Sequence, residues 1–307
     1  MILYKPFFLL LILLLFEPVI AQSNETLKKD IVRLGGIADM VDGVELKDAE
    51  AAFKILTNSF VKRLKEQKIY DFNFEGKMYS DLNSMQKDIE NGYIQYFNVS
   101  SYDYFRFYHR KEFVPFLSGM HHPSENSVHY LLVTSLKNQK IELKQLSNQK
   151  ISIPRSIQKS VGFYWLKANL RNELGAKLYK TINLQLSSQS ENEDLLSLFF
   201  GKTDYVIISE GTFNVACELN PSIKSKVRII KKSEGFLNGV FVYKQGLNSQ
   251  TITAIQDIAV NLHNDTNGKQ ILSLFKMYKI STVKKEQLDE TEKVINLYNK
   301  FCNSYLI

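Results

Sequence analysis

The chain has 307 residues, a formal net charge of +7 and a hydrophobic fraction of 44%, enough for one large domain or two ordinary ones and too much for a disordered chain. Its surplus of Lys and Arg is scattered rather than gathered into runs, so a nucleic-acid partner is not supported; a solvated surface or an electropositive cleft is. There is no nucleophile elbow and no paired-carboxylate signature, and the recurring Ser-x-x-Lys lacks the companions that would make it a nucleophile and base, so no catalytic residue is named and the chain reads as non-enzymatic.

In chain order, Lys5 and the amino terminus precede an apolar core from Phe7 to Phe16, and "VIA" (Val19 to Ala21) supplies small residues for cleavage. Residues 1–21 read as a secretory signal peptide. Glu17 and Pro18 interrupt a run already shorter than the roughly 20 apolar residues of a membrane span. The mature chain is therefore expected free in the periplasm or outside the cell.

A strand is predicted at Ile31 to Ile37. Asp48 then opens a helix whose Ala49, Ala52, Phe53, Leu56, Phe60 and Leu64 recur at three- and four-residue steps. Strands follow at Asp71 to Tyr79 and Tyr93 to Ser100, separated by a helix from Asp81 to about Asn91. The pattern repeats later: strand Gln149 to Ile153, helix Ser160 to Leu174 ended by Gly175, strand Thr181 to Leu186, and helix Glu191 to Phe200. The remainder of the C-terminal part reads as helices at Thr251 to His263, Gly268 to Tyr278 and Gln287 to Tyr305. Alternating strands and helices predict an α/β fold with mostly parallel sheets covered on both faces.

The stretch "LFFGKTDYVIISEG" (Leu198 to Gly211) reads as a helix end, a tight turn, a buried strand and a new helix start. Position 196 is Leu where a phosphate-cradling loop needs Gly, so its Gly-Lys-Thr is not a nucleotide motif. Ser209 and Glu210 stand at the strand's carboxyl end, where ligands of α/β sheets sit; Asp204 precedes the strand and belongs at the far end. Two extended runs, Ser127 to Ser135 and Gly239 to Gln245, bracket the second βα set. If both cross between lobes, residues 22–130 and 240–307 form a discontinuous first lobe and 131–239 the second.

Cys217 and Cys302 match no metal spacing; in an oxidising compartment they either bridge or remain two thiols in helices. His121, His122 and His129 fit no helix face and flank Pro123, so no metal site and no cofactor are assigned.

The ordered segments "YSDLNSMQKDIENGYIQYFNVSSYDYF", "LKQLSNQKISI", "LFFGKTDYVIISEGTFNVACELNPSI" and "NGKQILSLF" resemble the periplasmic solute-binding proteins of ABC transporters, in particular the phosphate, phosphite and phosphonate type of the class II binding-protein fold. The resemblance spans the mature chain. It implies two α/β lobes closing over a ligand about a two-strand hinge, in agreement with the crossing runs above.

By that resemblance Tyr102 or Tyr104 supplies an aromatic at the ligand. The family's anion cradle maps to "IPRSIQKSVGFYWL", which keeps Ser156, Ser160 and Gly162 but not the full Ser/Thr motif; Arg155 or Lys159 can compensate or be plain loop charge. Where the phosphonate binders place a histidine, this chain has Ser190 and Glu191. Glu191 either repels an oxyanion or is an ordinary first-turn acid of its helix. The ligand-binding set is thus Tyr102, Tyr104, Ser156, Ser160, Ser190, Ser209 and Glu210. The expected function is capture of a small, phosphonate- or phosphate-like ligand between the lobes by a monomer that delivers it to an ABC permease. The alternative is a sensing module that signals to a membrane sensor kinase; a degenerate member acting only through protein contacts is a third reading.

Overall fold

The computed structural model describes residues 31–38, 45–66, 73–123 and 126–303; the expected signal peptide lies outside them. Strand β1 (Ile31–Ile37) leads to helix α1 (Leu46–Glu66), which buries Ala49, Phe53, Leu56, Phe60 and Leu64, the stripe its spacing predicts. Strand β2 (Asn73–Tyr79) is followed by α2 (Leu82–Glu90), where Asp81 and Ser84 cap each other reciprocally. Strand β3 (Tyr96–Ser100) runs directly into the short α3 (Ser101–Arg106), and β4 (Phe113–Met120) completes this half.

The second half holds β5 (Tyr130–Ser135), β6 (Lys150–Ile153), α4 (Val161–Tyr179), β7 (Asn183–Leu186), α5 (Glu191–Phe199), β8 (Tyr205–Ser209), α6 (Glu210–Leu219), α7 (Ser222–Lys226) and β9 (Val227–Lys232). Gly175, at φ +68°, breaks α4 as expected, but a further helical turn follows it. The chain ends with β10 (Gly239–Lys244), α8 (Ser249–Asn261), α9 (Thr266–Leu274), β11 (Lys279–Thr282) and α10 (Asp289–Asn303).

These elements form two mixed sheets flanked by helices, one ordered β11-β4-β10-β3-β1-β2 and the other β7-β6-β8-β5-β9. In the first, β1 pairs in parallel with β2 and β3, whereas β10 is antiparallel to β3 and β4, and β11 to β4. In the second, β6 is parallel to β7 and β8, and β5 is antiparallel to β8 and β9. Most strands of each sheet therefore point one way, with β10 and the edge strand β11 reversed in the first and β5 in the second. Strands β4, β9 and β11 were not expected from the sequence. Each pairs antiparallel, and its place is set by a distant partner rather than by a local βα repeat.

The segments joining β4 to β5 and β9 to β10 cross between the sheets side by side. They are bonded to each other at Val128 and Phe236, with N–H···O distances of 2.7 and 3.0 Å. The last helix, α10, follows a strand of the first sheet yet lies on α4; its Val294 and Ile295 join the buried cluster of Trp165, Leu166, Tyr205 and Ile207 in the second. Three crossings thus tie the two halves together.

Candidate functional site

In an α/β sheet the carboxyl ends of parallel strands carry helix N-termini whose N–H groups are free for ligands. Here β6, β7 and β8 end on one edge, and α4, α5 and α6 begin there. Strand β5 starts on the same edge, with Tyr130 opposite Ser209 in the ladder. From the other sheet, β2 and β3 end at the N-termini of α2 and α3.

The structure brings Ser156 and Ser209 together through a third residue. One carboxylate oxygen of Glu191 accepts both the Ser209 backbone N–H (2.6 Å) and the Ser209 hydroxyl (2.7 Å), and the other accepts the Ser156 hydroxyl (2.8 Å). Ser209 is also the N-cap of α6, accepting the Thr212 N–H. Glu191 is therefore more than a first-turn acid: it ties the loop after β6 to the N-terminus of α6.

Ser160 caps α4, accepting the Gly162 N–H at 3.2 Å and donating to the Ile157 carbonyl. Beside it stands the Tyr130 phenol, in hydrogen-bonding reach of Ser160 and of the Gly162 N–H. Burial first, and the nearby Glu191 charge after it, push this phenol up to about 12 against the lowering effect of the Ser160 and Gly162 hydrogen bonds. The ring lies flush on the helix start; a Cβ at Gly162 would come within 2.6 Å of it.

Ser190 and Glu210 adjoin this cluster in the chain but turn to other partners, and Tyr104 stands on the other sheet. Ser190 is exposed and closes a capping box with Glu193, whose pKa its N–H and hydroxyl lower. Glu210 pairs with Lys232 at 2.7 Å. Tyr104 turns toward its own sheet, its hydroxyl donating to the Phe113 carbonyl. Asp204 lies at the opposite end of β8, where its carbonyl accepts from Thr134.

Tyr102 faces the second half of the molecule. Its ring stacks on Tyr164 of α4 at 4.0 Å and 17°, with the Arg106 guanidinium 5.0 Å from its centroid. Its buried hydroxyl makes no well-formed hydrogen bond, and burial first, then the adjacent Tyr164 phenol, drive its pKa far up. On the same side Asp81 is held below the usual carboxylate range, chiefly by the Ser84 N–H and in small part by Lys159 from the opposite sheet. Tyr130 and Tyr164 escaped sequence reasoning because their roles depend on contacts between distant segments.

His121 and His129 bond to the separate carbonyls of Lys276 and Ser233, and among the described residues no three His, Cys, Asp or Glu side chains gather as a metal site would need. Cys217 is a free, half-buried thiol; the side chain of Cys302 lies outside the described residues.

Residues 46–288 match the model of a protein family described as the ABC transporter, phosphonate, periplasmic substrate-binding protein. The chain belongs to this family. Its fold is that of the two-lobed periplasmic binding proteins. The family is one of transport solute-binding proteins, which implies a small-molecule ligand, a permease partner and a periplasmic location.

Among solved structures, the binding protein resembles XAC2383 from Xanthomonas citri bound to ATP, with a TM-score of 0.65 and 15% identity over 90% of this chain and 99% of that one. It resembles PhnD1 from Prochlorococcus marinus in complex with methylphosphonate, with a TM-score of 0.60 and 13% identity over 88% and 99%. A binding protein component of an ABC phosphonate transporter from Pseudomonas aeruginosa gives 0.56 and 10% over 88% and 87%. At these identities the likeness is one of fold. No curated protein sequence matches the chain. No helix among the described residues is long and apolar enough to cross a membrane.

Proposed function

We propose that this protein is the ligand-capturing subunit of an ABC importer. On this reading residues 1–21 are removed on export, and the rest acts as a monomer with no catalysis of its own. Residues 22–130 and 240–307 form one lobe and 131–239 the other, with α10 lying across both. The observation that carries the reading is the Tyr102–Tyr164 stack. It links the carboxyl edges of the two sheets beside a hinge of two bonded segments, the arrangement of a cleft that shuts. Of the seven residues expected at the ligand, Tyr102, Ser156, Ser160 and Ser209 line this edge and are the ones we assign to it. Ligand then stabilises the closed form by binding it better than the open one, and the permease reads that form.

A thermal-unfolding screen of the exported protein against phosphate, methylphosphonate, amino acids, sugars and nucleotides tests this. A true ligand at about 100 times its Kd adds roughly 2.7 kcal/mol and moves the midpoint by a few degrees. A response to no solute would remove the capture reading. Where a ligand is found, co-purification from membranes with a permease rather than with a sensor kinase separates delivery from signalling.

A further inference from the structure

We propose that the Glu191 carboxylate, together with the Tyr130 hydroxyl, occupies the oxyanion position of this cleft, so that the protein rejects phosphorus and sulfur oxyanions and takes a ligand with a neutral or cationic, donor-rich head group. The proposal rests on the ligand-capture reading above and specifies its substrate class.

An oxyanion is held by converging N–H and O–H donors at helix N-termini. At the start of α6 such donors exist, and those of Ser209 are already spent. The Ser209 N–H and hydroxyl point at one Glu191 oxygen, and the Ser156 hydroxyl at the other. A side-chain carboxylate thus receives from the protein the contacts a ligand's anionic group would receive.

The start of α4 is closed independently. Gly162 N–H is satisfied by the Ser160 hydroxyl and lies against the Tyr130 phenol, whose ring leaves no room for even a methyl group at Gly162. An incoming oxyanion would have to displace a fully buried tyrosine. The third helix start, α5, is closed by its capping box.

Charge points the same way. A phosphonate beside Glu191 would place like charges at contact range in a partly dehydrated site, which weakens binding by orders of magnitude. The cations nearby offset this little: Lys232 is paired with Glu210, Lys159 lies by Asp81, and Arg155, next to Ser156, is exposed, where solvent and salt screen its charge. What the edge offers instead is acceptor capacity. One Glu191 oxygen takes a single hydrogen bond, and a carboxylate has about four acceptor positions in all. An ammonium, guanidinium, amide or hydroxyl fits that open position.

The test is titration calorimetry of the exported protein and its Glu191→Ser and Glu191→Gln variants with methylphosphonate, inorganic phosphate and methanesulfonate, with circular dichroism to confirm folding. The wild type should show no binding below about 1 mM, and Glu191→Ser should bind at least one oxyanion about tenfold tighter or more. Glu191→Gln keeps the bulk without the charge, so its gain should be smaller. Wild-type binding of any of the three at about 10 μM or tighter would overturn the proposal, as would a folded Glu191→Ser variant with no gain. A wild type that shifts with amines or amides, joined to no oxyanion gain in the variant, would sink this inference and leave capture standing. A wild type that responds to no solute, joined to an oxyanion gain, would remove capture and the ligand class together and leave only the exclusion of oxyanions by Glu191.

Discussion

The two sheets reach the cleft with the same βα architecture and finish it in opposite ways. At the edge of the five-stranded sheet, polar groups close on one another, Glu191 on Ser156 and Ser209, and Tyr130 on the start of α4. At the edge of the six-stranded sheet a small apolar cavity of about 80 Å³ remains among the described residues, lined among others by Gly36, Phe53, Met78, Gly119, Phe275 and Met277. Both edges use glycine to admit a neighbour, but the neighbours differ. Gly162 faces a rigid buried ring, whereas Gly36 and Gly119 face the thioethers of Met78 and Met277. One edge is therefore stiff and self-satisfied, the other soft and unfilled.

The largest expected effect tests whether burial is nonetheless equal in the two halves. Tyr130 in one sheet and Tyr96 in the other both have phenols pushed up to about 12, in each case mainly by burial. A phenol raised from about 10 in the unfolded chain stabilises the fold fully below pH 10 and loses that contribution as pH climbs through 12, at most about 3 kcal/mol each. Urea unfolding between pH 8 and 12 should show this loss. Tyr130→Phe and Tyr96→Phe should each remove its own share; an unchanged profile in one variant would mean that sheet opens before its phenol ionises.

This difference between the halves also marks what could be read from sequence. The buried stripe of α1 and the helix starts at Asp81 and Ser160 were legible because each is a local pattern of spacing or of a polar residue before a helix, whereas Ser190 and Ser209, read as ligand residues, are also caps. The extended runs Ser127 to Ser135 and Gly239 to Gln245 are mostly strands β5 and β10, and the segments that cross between the sheets lie just before those strands, at Val128 and Phe236. Strands β4, β9 and β11 were not, since their pairing partners lie far away in the chain. Glu191 was visible as an acid in an unusual place. Its bonds to Ser156, 35 residues before it, and to Ser209, 18 after it, required the fold. Tyr130 left no local signal at all, because the group it satisfies starts a helix packed on it from another part of the chain.

A glycine-to-alanine pair sharpens the contrast between stiff and soft edges. Gly162→Ala drives a methyl group to within 2.6 to 2.7 Å of three atoms of the Tyr130 ring, which is fully buried and cannot swing away. Overpacking of this kind costs about 1–3 kcal/mol and should appear as a lower urea midpoint at unchanged slope.

Gly119→Ala is the smallest effect expected and the more discriminating one. Its methyl group would also overlap a neighbour, the Met277 sulfur, so a rigid protein would suffer as much as it does at Gly162. Methionine is unbranched, and here it borders open space into which its thioether can turn. The strand position itself favours alanine slightly over glycine, through the lower entropy of the unfolded chain. The net change should therefore stay within about 1 kcal/mol of wild type. A loss equal to that of Gly162→Ala would mean that Met277 is locked in place, and that the cavity edge is as stiff as the polar edge across the cleft.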